Sequence, residues 1–202
     1  MDPATPARSP LASFDTARLH LRPLQEGDQA LYLHLYTDPG VMRHIAAPLS
    51  PQAAHRAFAA ALEQTRQAPP KLRMWVLHER TTPATALGIV ALMYREPTRD
   101  SVEIGAMLRA EGQGRGLSVE AQRAVLDHVF GARPFEAPPP ARVWSRNAPG
   151  NGASIAGRLK LGFVRALSDD PHGEWMRWEM TRARWQALQS SGRDMALLNA
   201  SG

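Results

Sequence analysis

The chain contains no cysteine. That excludes disulfides, thiolate metal sites and cysteine nucleophiles. No apolar run approaches the ~18 residues a membrane helix needs, so no membrane partner is expected. The first ten residues are Pro-rich and hold no apolar segment of the secretory kind, which makes a cytoplasmic location the expectation. Lysine is scarce: Arg supplies nearly all of the 24 Lys+Arg that stand against 19 Asp+Glu and leave a net charge of +5. There is no block of five or more like charges, so the basic balance does not point to a nucleic-acid partner. The seven His form no His-x-x-x-His or similar pair, and no metal site is expected. Gly (15) and Pro (17) follow no period, which excludes collagen and repeat arrays.

What remains is a chain of 202 residues, 44% hydrophobic, suited to one domain with a sizeable core. Residues 1–14 are Pro- and Ser-rich and read as a disordered lead, 15–190 as the single domain, and 191–202 as a flexible tail. Strands are expected over 17–23, 72–79, 86–94, 102–108, 141–146, 163–167 and 174–182. Helices are expected over 26–36, 51–67, 117–130, 154–161 and 184–189, with a short helical piece at 41–45. Ser50 and Pro51 form an N-cap and first-turn pair, and Gly162 stands as a helix-ending residue. Residues 131–140 read as a Pro-rich loop. The order β-αα-βββ-α-β-α-ββ implies an α/β (α+β) fold on a mixed, mostly antiparallel sheet of six to seven strands.

One stretch carries chemistry. After the strand at 102–108 come three alternating glycines, Gly112, Gly114 and Gly116, and then a helix. A strand, a glycine loop and a helix start together present free backbone N–H groups to a phosphate. The loop is not a Walker A loop, because no Lys follows its glycines. It is not a dinucleotide fingerprint, because Leu117 or Val119 falls where the third Gly belongs. It is not a nucleophile elbow, because Glu120 ends the pentapeptide begun by Gly116.

Gln113-x-x-Gly116-x-Ser118 resembles the Q/R-x-x-G-x-G/A signature of the GNAT superfamily of acetyl-CoA-dependent N-acyltransferases. Glu103-Ile104-Gly105, Asn151-x-x-Ser154 and Lys160-Leu161-Gly162-Phe163 are similar to the RimJ/RimL-like, ribosomal-protein N-terminal acetyltransferase branch, in spacing and in order. The resemblance spans residues 17–185. It departs at Ser118, which replaces Gly or Ala, and after Trp175, where Met176 and Arg177 follow and the branch's Asp is missing.

The resemblance implies acetyl transfer from acetyl-CoA to a primary amine by direct attack in a ternary complex, with no metal. The amine would belong to a small molecule or a peptide N-terminus, and the protein would be a monomer or homodimer. The N–H groups of residues 115–119 would cradle the pyrophosphate, with Gln113, Gly114, Arg115, Gly116, Leu117 and Ser118 as cofactor contacts. Met107, Leu108 and Arg109 would hold the pantetheine arm where the strand at 102–108 splays from that at 141–146. Glu103 is a base or water-relay residue, or else a structural hydrogen-bonder; Glu174 is a second candidate base, or a solvated strand residue. Glu120 anchors the loop. Ser154 would serve the leaving sulfur, or cap a helix; Asn151 would contact CoA, or cap. Tyr94 and Tyr36 are alternative acids. Tyr32, Tyr36, Met42, Arg43 and His44 would line the acceptor side, opposed by the turn holding Asp169 and Asp170. A CoA-binding module of the same fold without catalysis is the other reading, prompted by the missing Asp.

Overall fold

The computed structural model describes residues 11–96, 98–131, 134, 138–167, 170 and 172–200. The elements are β1 (Phe14–Asp15), β2 (Leu19–Pro23), α1 (Gln29–Thr37), α2 (Pro39–Met42), α3 (Pro51–Arg66), β3 (Leu72–Glu79), β4 (Thr82–Met93), β5 (Ser101–Leu108), α4 (Leu117–Phe130), β6 (Arg142–Asn147), α5 (Gly152–Leu161), β7 (Val164–Arg165), β8 (Met176–Thr181) and α6 (Arg182–Ala200). They build one eight-stranded sheet in the order β1-β2-β3-β4-β5-β6-β8-β7. Every neighbouring pair is antiparallel except β5 and β6.

Helices cover both faces. One core cluster joins Trp75, Leu77, Val90, Leu92, Val102 and Ile104 to Leu117, Ala121, Val125 and Leu126 of α4, Leu161 of α5 and Trp185 of α6. The other joins Met74, Val76, Ile89 and Ala91 to Leu31, Tyr32 and Leu35 of α1 and Phe58, Ala61 and Leu62 of α3. The central strands are therefore buried on both sides, which is why residues 74–77 of β3 run Met-Trp-Val-Leu instead of alternating. β2, next to the two-residue edge strand β1, does alternate: Leu19 and Leu21 are fully buried, and His20 and Arg22 are not.

Local chemistry sets several ends. Ser50 Oγ accepts from Ala53 N at 3.2 Å, with Pro51 opening α3. Gly162 ends α5 at φ 83°.

The structure corrects three expectations. Phe14, the last residue of the expected disordered lead, opens β1, and Ala12 O accepts from Trp75 Nε1 at 3.2 Å; residues 1–10 lie outside the described residues. A two-residue strand leaves no periodicity to read, and the extra pairing raises the sheet to eight strands. The last helix runs from Arg182 to Ala200, through the stretch expected as a tail. The expected strand at 163–167 shrinks to two residues.

The β4–β5 pair brings backbone unusually close. A Cβ on Gly88 would stand 2.2 Å from Met107 O and 2.9 Å from Leu108 Cα. Gly88→Ala must therefore push β5 away and should cost about 1–3 kcal/mol, read as a lower urea midpoint at unchanged slope. An unchanged midpoint would show that this approach carries no constraint.

Candidate active site

The glycine loop lies at the end of β5. Gly114 and Gly116 both take positive φ, 72° and 77°. Gly116 is the N-cap of α4 and has no side chain to cap with. Glu120 N is the first to find an intrahelical partner, Gly116 O at 3.1 Å, so the N–H groups of residues 117–119 open the helix unpaired and face outward with its positive dipole end. Gln113 does not reach into that space: its Nε2 donates to Leu108 O at 2.9 Å and braces the loop on β5. Arg115 also turns away. Its Nη2 meets Glu79 Oε1, its Nη1 donates to Glu79 Oε2 at 3.2 Å, and the pair holds the Glu79 carboxyl below its usual range. Ser118 Oγ accepts from Gln122 Nε2 at 2.8 Å.

Glu120 is the loop's anchor. It accepts from Thr16 Oγ1 at 2.5 Å, Arg18 N at 2.8 Å and Arg18 Nε at 2.6 Å. Arg18 Nη1 in turn donates to Arg115 O at 3.0 Å. The helix start is thus tied to the residues leading into β2.

β5 and β6 pair only at Ser101↔Arg142, Val102↔Val143 and Glu103↔Trp144. Beyond Glu103 they part: β5 keeps β4, β6 keeps β8, and the facing backbone edge of residues 104–108 has no strand partner. Met107 and Leu108 lie on that edge. Arg109, expected with them along the arm, instead lines a 580 Å³ cleft on the α1 side with Arg22, Asp28, His34 and His78.

Glu103 stands at the apex of the parting, 6% exposed. Its Oε2 accepts from Arg95 Nε at 2.9 Å, and Arg146 Nε is 3.6 Å from Oε1. By strand alternation Glu103 shares a side of β5 with Gly105 and Met107, and that side is not an open cleft. It holds the second core instead, with Met93 and Met107 packed there beside Tyr36. Beyond that core the same face continues, by register, through Trp144 and Arg146 of β6 to Glu179 and Arg177 of β8. Arg177 lies over the Trp144 ring at 4.5 Å and Arg146 over Trp175 at 4.9 Å.

Asn151 caps α5, its Oδ1 accepting from Ser154 N at 3.0 Å. Ser154 is consequently the third helical residue, not the cap, and its half-buried hydroxyl has no partner among the described residues. Glu174 is exposed in the loop before β8. Asp170 makes a turn: burial works against its charge, but Trp175 N at 2.7 Å and His172 N at 3.1 Å donate to it and hold its carboxyl low. Asp169 lies outside the described residues. Tyr94 is in the first core under Arg99, 3.6 Å from the ring. Tyr36 stacks on Tyr32 at 4.4 Å, and burial raises both phenols. Met42 is buried, while Arg43 is exposed and donates to His44 Nε2 at 3.2 Å.

Residues 18–164 match the acetyltransferase (GNAT) domain family. The chain belongs to that family. It is an acyl-CoA-dependent N-acetyltransferase, and the three-residue β5–β6 pairing beside an uncapped α4 is how this member lays out the family's fold. Similar solved structures include an acetyltransferase from Agrobacterium tumefaciens str. C58, with a TM-score of 0.69 at 21% identity over 84% of this chain and 94% of that one. Spermidine N-acetyltransferase from Vibrio cholerae, in complex with CoA and spermine, superposes with a TM-score of 0.68 at 17% identity over 85% and 99%. RimL, the ribosomal L7/L12 alpha-N-protein acetyltransferase in complex with CoA, gives 0.66 at 16% identity over 82% and 95%. At such identities these likenesses speak to the fold. No curated protein matches the chain by sequence.

Sequence reasoning missed Arg95, Arg146, Gln122 and Arg158. Arg95 comes to Glu103 from the loop after β4 and Arg146 from β6, and no spacing reveals that. Arg158 was legible: it falls four residues after Ser154 on the stripe that Ile155 and Leu161 bury.

The Glu120 cluster makes a pH-dependent prediction. Burial alone would raise its carboxyl, but donation from Thr16 and Arg18 prevails and its folded pKa lies low. Its stabilisation is then complete above the unfolded value of about 4.3 and is lost as pH falls through the folded value. Glu120→Gln should cost about 2 kcal/mol near neutrality and lose less stability than the wild type on acidification, in urea unfolding at stepped pH. Parallel curves for the two proteins would contradict the assignment.

Proposed function

We propose that the chain transfers the acetyl group of acetyl-CoA to a primary amine by direct attack, with both substrates bound at once. The observation that carries this is the unpaired α4 N-terminus set at the mouth of the β5–β6 parting. In this reading the N–H groups of residues 117–119, with Gly114, Gly116 and Ser118, hold the pyrophosphate. The free edge of β5 near Met107 and Leu108 takes the pantetheine amides and polarises the thioester carbonyl. Gln113 acts by bracing the loop, and Arg115 takes part only by leaving Glu79. Asn151 fixes the start of α5, which puts the free Ser154 hydroxyl toward the sulfur.

An alkylamine is protonated at neutral pH and must lose a proton before it attacks. Glu103, at the apex, is the carboxylate placed to receive that proton through water. Arg95 and Arg146 already engage its two oxygens, which suits a relay through water over direct contact with the amine.

The acceptor would lie over Trp144 and Trp175, within the wall that α1 and α2 form with Tyr32, Tyr36 and Met42. Arg95, Arg146 and Arg177 crowd this face, and Glu103 and Glu179 are already engaged with them. That charge pattern disfavours a polycation and suits an amine carried on a neutral or acidic group, such as a peptide N-terminus, in line with the RimJ/RimL-like motifs.

Two outcomes are expected. Titration calorimetry shows CoA binding, and acetyl-CoA with an amine panel releases free thiol, faster for acidic N-terminal peptides than for spermidine. No CoA binding and no thiol release would end the proposal; binding without turnover on any amine would leave a CoA-binding module. Glu103→Gln should lower kcat by about 10²-fold at neutral pH and less at alkaline pH, where the amine deprotonates unaided, with acetyl-CoA KM unchanged. A pH-independent loss would make Glu103 structural.

A further inference from the structure

Arg158 is the one Arg or Lys buried among the described residues, at 5% exposure. No carboxylate there lies within ion-pair distance of it. Its Nη1 donates to Gln122 Oε1, its Nε has no partner, and its guanidinium carbon is 5.4 Å from the Phe163 ring centroid. Burial pushes its pKa down to about 10, with the Glu103 charge acting against that, so it stays a cation at neutral pH. A buried cation given one neutral hydrogen-bond partner and one ring beneath it is costly to keep, and calls for an anion the folded chain does not supply.

Its position says which anion. Arg158 is one turn along α5 from Ser154, on the same face. Gln122 is one turn along α4 from Ser118. Helical side chains lean toward the helix N-terminus, so Arg158 reaches back under Ser154, as Gln122 reaches back to Ser118. The helices meet where a Cβ on Gly157 would be 3.4 Å from Val119 Cγ2. The guanidinium thus lies beneath the cradle, one turn inward, where the ligand's arm continues, and not at the pyrophosphate itself.

We propose that Arg158 is a catalytic residue on the sulfur side of the transfer, pairing with the thiolate that CoA becomes as the thioester breaks. This rests on the reading that acetyl-CoA lies along β5 with its sulfur near Ser154. The amine nitrogen bonds to the thioester carbon, the C–S bond breaks with its electron pair on sulfur, and the surplus amine proton leaves through water. A thioester and an amine give an amide and, once solvent protonates the sulfur, a thiol. An alcohol is a weaker acid than a thiol, so Ser154 can offer the thiolate a hydrogen bond but not an easy proton. A fixed cation in a desolvated place stabilises the charge as it develops and needs no proton transfer.

The thiol of CoA bound to wild type, Arg158→Lys and Arg158→Gln is titrated by the ultraviolet absorbance of its thiolate. Desulfo-CoA serves as the binding control. The acid constant of the bound thiol should be at least about tenfold larger in wild type than in Arg158→Gln, with the Lys variant between. The kcat of Arg158→Gln should fall about 10²-fold while its desulfo-CoA affinity holds. Equal thiol acidity in wild type and Arg158→Gln overturns the proposal. Should Arg158→Gln not fold, wild-type affinity for CoA must rise with pH more steeply than that for desulfo-CoA. Glu103 works in the opposite sense, Ser154 and Gln122 do not titrate in this range, and parallel curves overturn the proposal as well. Failure of wild type to bind both ligands would instead remove the CoA reading beneath it.

Discussion

The site depends on a strand pairing that stops early. β5 and β6 are the one parallel pair in an otherwise antiparallel sheet, and they hold for three residues. Continuing the ladder would satisfy the backbone of residues 104–108 but leave no slot. Parting leaves polar groups that water or a ligand must satisfy, and does so beside a helix that opens on unpaired N–H groups. Both deficits face the same kind of partner, a long ligand with an anionic end and amide groups along its arm. The fold is whole without the ligand only because each half of the sheet has another neighbour: β4 holds β5, and β8 holds β6.

Charge is organised around the same parting. Glu103 marks its apex, held by Arg95 from the loop after β4 and by Arg146 of β6, so the two halves of the sheet are tied electrostatically where their hydrogen bonding ends. Arg158 lies on the α4–α5 side with no pairing of its own. A carboxylate with two guanidiniums near it and a guanidinium with no carboxylate are opposite imbalances. On the proposed reading they serve the two ends of an acyl transfer, in which a proton leaves the amine and negative charge arrives on sulfur.

How much of this was legible follows from how local each signal is. Residues 117–130 were readable as a helix to the residue, because Gly116 fixes the start and apolar periodicity runs unbroken to Phe130. The start of α5 was misplaced because Asn151, not Ser154, takes the capping role, and both residue types cap well. β1 and β7, two residues each, are made by their neighbours and not by their own sequence. The burial of Glu103 was not legible, because strand alternation says which residues share a face, not whether helices cover it. Arg95, Arg146 and Glu103 come together only through sheet order, and that order follows from packing, not from spacing.

The acceptor side shows the same limit most sharply. The residues expected there, on α1, α2 and the following turn, are largely spent on packing: Tyr32 and Met42 are buried, and Tyr36 stacks on Tyr32. The polar and aromatic surface left free comes from β6, β8 and the residue before β8, where Trp144, Trp175, Arg146 and Arg177 make guanidinium–ring contacts. Stacked arginines keep their in-plane N–H groups available while their faces are used, so this surface can still bind carboxylate or carbonyl groups. On the proposed reading, donor recognition rests on backbone and helix ends, where side-chain identity matters little, and acceptor recognition rests on side chains of β6, β8 and the loop before β8, where a substitution can change the choice without disturbing the fold.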